Sequence, residues 1–345
     1  MERIWWGSVP NAARYVREIV TAIHEERSLV LVLRENVPWR EFLPVVVEER
    51  IEDIPDRSLK RIACPEEDPG DYLLEHYCMA EKRLTYRASR SHAQFLAEAE
   101  GLVLHKAILW IEIADERKAR AWTEFVRAYH GFARKGVSSP SFILVFSDDY
   151  GAGRGCKGVS YLAFAEEVNE FDRFAFATLA AASSIGQRRF KPYLATLAAS
   201  VSAEDMELCA ACSRRGMEFL RSPRETLEKI AEEERRSDAS PFALDDLLEG
   251  LARRVWKAQV KSVFPLIEDR RQAYIEQCYA ALRAMHLVPE EVEIGVLSHK
   301  AAVGELRLPS VAVEELLLLK EARNHLAHIR EVPFPMVEAI LSKGD

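Results

Sequence analysis

The chain has 345 residues, 48% of them apolar and 30% charged, with a formal net charge of −8. That length exceeds one ordinary hydrophobic core and calls for two or three domains of a globular, water-soluble kind. The negative balance excludes broad, sequence-blind binding to DNA, which depends on neutralising many phosphates, but leaves room for a local basic patch that holds RNA. In chain order, Ile4-Trp5-Trp6 is a short apolar run that closes on Gly7 and reads as a strand. Pro10 to Ile23 has helical periodicity through Ala13, Val16, Val20 and Ile23, and Leu29 to Leu33 is a strand of the buried type. Further strands are expected near Arg61-Ile62-Ala63, at Ala107 to Glu112 and at Ser141 to Phe146. Helices are expected at Asp71–Met79, Ser91–Ala99 and Glu116–Arg134, the last with Trp122, Phe125, Val126 and Tyr129 on one face. Short apolar runs alternating with helices predict an α/β domain built on a mainly parallel sheet.

The run that ends at Glu112 looks like a Walker-B strand of the AAA or STAND type, and Phe142 to Ser147, followed by Asp148-Asp149, stands where a sensor strand would. In this order the first half resembles a P-loop NTPase without its P-loop. Gly7 to Arg14 is expected at the strand-to-helix turn where phosphates would be cradled, but it lacks the glycine spacing, the lysine and the magnesium-binding hydroxyl of Gly-x4-Gly-Lys-Ser/Thr. ATP hydrolysis is therefore not expected, although an anion at the helix N-terminus remains open. A second glycine-rich stretch, Gly151 to Gly158, has Cys156 where the second glycine belongs and Gly158 where the hydroxyl belongs; it reads as a surface loop. An unusual phosphate loop using Lys157 or Arg14 is the less favoured alternative.

From about Glu166 to Glu234 the pattern is helical, in the position of the small lid that follows the core in AAA-like proteins, an assignment by analogy. The charged run Glu232 to Asp238 before Pro241 marks a boundary. Beyond it, Ser240-Pro241 with Asp245 and Asp246 predicts a helix start, with Leu244, Leu247, Leu248, Leu251, Val255 and Val260 as the buried stripe. Arg253, Arg254, Lys257 and Lys261 recur at helical spacing on its outer face, either as a solvated surface or as a track for RNA backbone. Further helices are expected from Pro265 to about Met285, from Pro289, from Ser310 to about Ile329, and from Pro335 to Leu341. Four to five helices on short connections make a bundle.

The fourth of these helices ends Glu321-Ala-Arg323-Asn324-His325-Leu-Ala-His328. The segment Lys320 to Pro333 resembles the Arg-x4-His signature of HEPN domains, helical bundles found in bacterial toxins, phage-defence proteins and RNA-processing factors. The resemblance implies that Arg323 holds a phosphate, that His328 transfers a proton and that RNA is cut without a metal, usually by two protomers facing one another. It equally allows a non-catalytic module for binding or dimerisation. Arg323 and His328 lie five residues apart, about 140° around a helix at 3.6 residues per turn, so both reach one point only if the helix ends between them or a second copy completes the site. Asn324 and His328 share a face, which lets the amide orient the imidazole. The chemistry would be attack of the RNA 2′-OH on its own phosphate, with His328 as acid or base and Arg323 on the non-bridging oxygens. The bland alternative pairs Arg323 with a carboxylate and leaves His325 and His328 at the negative end of a helix.

Six scattered cysteines, Cys64, Cys78, Cys156, Cys209, Cys212 and Cys278, with no secretory segment ahead of them, point to a cytoplasmic protein without a disulfide scaffold. Cys209-Ala-Ala-Cys212 has the spacing of half a zinc site, but no second pair lies near it, and it reads as two small buried residues one helical turn apart. Neither a metal nor a cofactor is called for, and no apolar run approaches the roughly 20 residues of a membrane span. The expected architecture is an α/β domain (1–165), a helical lid or linker (166–238) and a HEPN-like bundle (239–345). Two functions fit it. One is a defence-type protein with a metal-independent ribonuclease bundle, acting on RNA as a homodimer joined through that bundle. The other is a non-catalytic adaptor that uses both domains to bind other proteins of a defence complex.

Overall fold

The structure, a computed structural model, describes residues 1–34, 36–133, 138–150, 158–164 and 169–342. It divides into two compact units, Met1–Asp172 and Arg173–Asp345. The glycine-rich stretch Gly151 to Lys157 lies outside the described residues, apart from its last glycine, Gly158.

The first unit is built on five strands, β1 (Ser28–Val32), β2 (Ser58–Ala63), β3 (Ala107–Ile113), β4 (Ser141–Phe146) and β5 (Val159–Ala163). They form one sheet in the order β2-β3-β4-β1-β5, and every neighbouring pair is parallel. Val30 stands opposite Leu144 on one side and Tyr161 on the other. Helices cover both faces, so β1, β3 and β4 must bury residues on both sides. This is why they read as unbroken apolar runs instead of alternating ones. The edge strand β2 is largely exposed and carries only Leu59 and Ile62 as apolar anchors in its interior.

Around the sheet lie α1 (Glu2–Ser8), α2 (Pro10–His24), α3 (Leu43–Arg50), α4 (Pro69–Tyr77), α5 (Ala80–Arg83), α6 (His92–Glu98) and α7 (Glu116–Phe132). Leu73, Leu96, Trp122, Val126 and Tyr129 pack with Leu109, Ile111, Phe142, Leu144 and Phe146 to form the core of one face. Helices α1, α2 and α3 pack on one another, with α2 against β1. Trp5, Trp6, Tyr15 and Trp39 gather there around Phe164. Gly70 fits where α4 meets α6: a Cβ at this position would collide with the His92 side chain.

Several expectations are corrected. Ile4-Trp5-Trp6 is part of helix α1, because Trp5 and Trp6 bury together on one side of a turn instead of alternating across a strand. Gly7 to Arg14 therefore joins two helices and is no strand-to-helix turn. Val159–Ala163, which shows no alternation in sequence, pairs with β1 as an edge strand, and helix α3 carries no clear apolar period.

The second unit is helical. Helix α8 (Glu170–Ser184) leads into it, followed by α9 (Lys191–Ser202), α10 (Met206–Arg215), α11 (Met217–Arg221), α12 (Pro223–Glu233), α13 (Asp245–Glu249), α14 (Leu251–Ser262), α15 (Phe264–Gln277), α16 (Tyr279–Ala284), α17 (Ile294–Ala302), α18 (Ser310–Ala327) and α19 (Phe334–Ser342). The expected helix from Pro241 is divided. Pro241 to Leu244 is not helical, and Gly250 separates α13 from α14. Ser240 turns back on Asp238 instead of capping a helix. The helix expected through Met285 breaks at Cys278, and Pro289–Glu291 is a single 3-10 turn ahead of α17. Helix α14 packs on α9 and on α18, whose buried stripe is Leu316, Leu319, Ala322 and Leu326. Among the described residues no helix is long and apolar enough to cross a membrane.

Candidate functional site

In an open parallel sheet a ligand sits at the carboxyl ends of the strands, at the place where the direction of winding reverses. From β1 the chain moves across the sheet to β2, and every later connection runs the other way, so the reversal lies at β1. The position for a phosphate is consequently the turn after Val32, beside the ends of β3 and β4.

That turn, Leu33 to Phe42, contains no glycine, lysine, serine or threonine. Val37 and Trp39 point inward and are buried, and Trp39 adopts a left-handed backbone at φ 48°. The Trp6 indole N–H donates to the Trp39 carbonyl at 3.0 Å. Pro44 removes an amide donor from the start of α3. Side chains thus fill the space that backbone amides would need to cradle a phosphate. Glu112, at the end of β3, lies 3.9 Å from the guanidinium of Arg40, and Arg34 lies 3.8 Å from Asp148 beyond β4. Tyr150 closes the same edge by donating to the Ala114 carbonyl at 2.7 Å.

The N-terminus of α2, left open above for an anion, already holds one. Asp172, 3% exposed, accepts from the Asn11 amide N–H at 3.0 Å, from Asn11 Nδ2 at 2.8 Å and from the Asn169 N–H at 3.0 Å.

At the opposite edge of the sheet, Ser28 Oγ and His130 Nε2 are 2.7 Å apart, a spacing that suggests a nucleophile with its base. Ser28 is fully buried and its Oγ also accepts from the Phe142 N–H, so the pair ties α7 to β1 and β4. Burial pushes His130 below its ordinary value. Asp68, Asp71 and His92 place three ligand-type atoms within 4.8 Å of one another. Asp68 caps α4 through the Gly70 N–H, and His92 Nε2 lies 3.4 Å from Asp71, so capping and an ion pair account for the group. Cys209 and Cys212 are free thiols, fully buried on α10, and burial pushes Cys209 up to about 12.

In the helical unit α18 runs unbroken through Arg323 and Asn324 to Ala327, with His328 as its C-cap. No bend brings Arg323 round to His328. Arg323 is half-buried and its guanidinium meets Glu293 Oε2 at 2.8 Å. The cleft around it, about 180 Å³, is lined by Glu268, Glu290, Glu291, Glu293, Arg271 and Arg323, so carboxylates outnumber cations. Arg271 is committed to Glu268 and to the Val292 carbonyl. Asn324 and His328 are both exposed, and they are joined only through the backbone, His328 N–H to Asn324 O at 3.1 Å. His325 Nδ1 is buried without a hydrogen-bond partner among the described residues.

Beyond His328 the helix closes in a Schellman turn: Arg330 N–H donates to His325 O at 2.9 Å and Ile329 N–H to Leu326 O at 3.2 Å, with Ile329 left-handed at φ 56°. Helix α14 clamps this turn at two points. Trp256 Nε1 donates to Leu326 O at 2.8 Å, and the Gln259 amide both donates to Val332 O at 2.9 Å and accepts from Val332 N–H at 2.7 Å. Of the four basic residues predicted on α14, Arg253, Lys257 and Lys261 are exposed, whereas Arg254 turns in to the Val201 carbonyl at 3.2 Å. Asp172, Glu293, Arg40 and the Trp256 and Gln259 clamp were not apparent from sequence, because each acts through a partner remote along the chain. Comparison with protein-family models, with curated proteins and with solved structures finds no match for this chain.

Proposed function

We propose that this chain is a non-hydrolytic binding protein of the defence-complex kind: an NTPase-like α/β frame without a nucleotide site, joined to a helical unit that engages RNA and partner proteins. One observation carries the reading. At three positions where a phosphate would be sought, a carboxylate of the chain itself stands against the cation or the helix terminus. Asp172 is on α2, Glu112 on Arg40, and Glu293 on Arg323. The AAA- or STAND-like resemblance is supported by β4 lying between β1 and the Glu112 strand, and by the reversal at β1. It supplies a frame and no hydrolytic chemistry.

A second reading, the metal-independent HEPN-type ribonuclease, is favoured by the exposure of Asn324 and His328 on one face at a rigidly held helix end. Because Arg323 and His328 do not converge in one chain, that reading requires a second copy. Incubating the full chain with total RNA in EDTA separates the two, with Arg323→Ala and His328→Ala alongside. Intact RNA in every lane, together with no heat of ATP binding by calorimetry, is the expected result. Cleavage that survives EDTA and is lost in both variants establishes the ribonuclease instead.

A further inference from the structure

We infer that the chain forms an antiparallel homodimer through the outer face of α8, with Phe171 and Phe174 of each copy seated against Ala182 and Leu179 of the other. The sequence points to self-association through the bundle at 239–345, and this contact lies ahead of it. It goes beyond the proposed function and does not depend on it.

The first ground is the face itself. Helix α8 is anchored on one side by Phe176, Ala177, Ala180 and Ala181, all fully buried. At about 100° per residue, Phe171, Ala175, Thr178 and Ala182 fall within about 60° of one another on the opposite side, flanked by Phe174 and Leu179. Phe171 is 85% exposed, Phe174 50% and Leu179 37%. None of these six residues is charged, in a chain where 30% of residues are. Phe171 does not stand on a frayed end: its N–H donates to Asn169 Oδ1 at 2.9 Å, and its neighbour Asp172 holds Asn11. Taking about 200 Å² for a phenylalanine, the two rings expose about 270 Å² between them. With Leu179 added, the patch reaches the size at which an exposed apolar surface marks an interaction site.

The second ground is that this face fits a reversed copy of itself. Its rings stand at the N-terminal end of α8, and Ala182 and Ser183 at the C-terminal end. A two-fold axis crossing between Phe176 and Ala177 sets Phe171 on Ala182, Phe174 on Leu179 and Ala175 on Thr178 of the other copy. One axis thus matches the whole face at once, as an isologous contact requires. Ala175 and Thr178 at the crossing admit the axis separation of about 8–10 Å found between packed helices. Charge follows the same order. Glu170, exposed at the N-terminal end, comes opposite Ser183 of the other copy. Lys191 marks that C-terminal end, where its Nζ donates to the Ala182 carbonyl at 2.8 Å. Reversed pairing therefore brings carboxylate to ammonium twice, whereas within one copy the two are about 18 Å apart along α8. A parallel pair would instead set ring on ring and Glu170 on Glu170. The four rings supply nearly half of the roughly 1,200 Å² at the lower bound of stable interfaces, so this dimer exchanges with monomer.

The test is sedimentation velocity of the full chain over a concentration series, with thermal melting of each variant as the control for folding. The unaltered chain is expected to pass from monomer to dimer as concentration rises. Phe171→Ser and Thr178→Arg alter exposed positions and count twice in a two-fold contact, so each is expected to weaken the dimer at least about tenfold. Glu170→Lys and Lys191→Glu are each expected to weaken it severalfold, and the two together to restore it, because these charges meet only between copies. A chain that stays monomeric at every concentration overturns the dimer and leaves the face to a different protein. A dimer unmoved by Phe171→Ser and Thr178→Arg is joined elsewhere and overturns this contact. A dimer lost in those variants but not restored by the charge exchange overturns the antiparallel register.

Discussion

Asp172 and Glu293 are both carboxylates set where the sequence leads one to expect a phosphate, but their surroundings differ. Asp172 is 3% exposed and holds three donors at the start of α2. Glu293 is an N-cap residue with a 62% exposed side chain and meets Arg323 through one ion pair. A buried carboxylate with its full set of donors cannot be withdrawn without stranding them, so the α2 terminus is closed permanently. An exposed pair contributes little and exchanges readily with solvent and salt. In the α/β unit the lost phosphate site has become part of the core. In the helical unit the cation remains at the surface, and it is the surrounding carboxylates that keep anions away.

The largest effect expected from this difference is that of Asp172→Ala. The Asn11 N–H and the Asn169 N–H would be left without their acceptor, and we expect a loss of about 3 kcal/mol in urea unfolding followed by circular dichroism. A loss below about 1 kcal/mol would place Asp172 with ordinary surface pairs and reopen the α2 terminus to an external anion.

Next in size is Gln259→Leu. The leucine fits the buried position, but the Val332 N–H and C=O then lack their partners. The expected loss is about 2 kcal/mol, with faster amide exchange at Val332. Unchanged exchange there would show that the turn after His328 does not depend on α14.

Ile329→Gly acts in the opposite direction. A β-branched side chain at φ 56° is strained, and glycine takes that conformation freely. Because Ile329 is exposed, little burial is lost, and a gain of about 1 kcal/mol is expected in the same unfolding assay. A loss instead would mean that the Ile329 side chain makes a contact worth more than the strain, as it would if a second copy covered it.

The strands that set the sheet were legible because burial on both faces leaves an unbroken apolar run, as in Ile108 to Ile111 and Phe142 to Phe146. The same logic misread Ile4-Trp5-Trp6, since three apolar residues in a row satisfy a strand and one turn of an amphipathic helix equally well. The winding reversal at β1 was not legible at all: strand order depends on pairings between distant segments, and the phosphate turn was accordingly sought before β1 instead of after it. At the candidate site, Arg323 and His328 were found by local spacing. The partners that decide what Arg323 does come from the Pro289–Glu291 turn and from α17, about thirty residues away, and no short motif encodes them.

The smallest expected effect is that of Glu293→Gln, and it bears most directly on the comparison. An exposed pair of this kind stabilises by less than about 1 kcal/mol, so the melting temperature should hardly move. If Arg323 were the cation for RNA, removing the carboxylate that faces it would raise RNA affinity. We expect no such gain, because Glu268, Glu290 and Glu291 still surround the cleft, and Arg271 stays committed to Glu268 and Val292. Fluorescence anisotropy with a labelled oligouridylate decides it. A gain of about tenfold, corresponding to about 1.4 kcal/mol, would make Glu293 a latch on a working Arg323. The helical unit would then be a restrained form of the site its motif suggests, and not one in which Arg323 serves only as an ion-pair partner of Glu293.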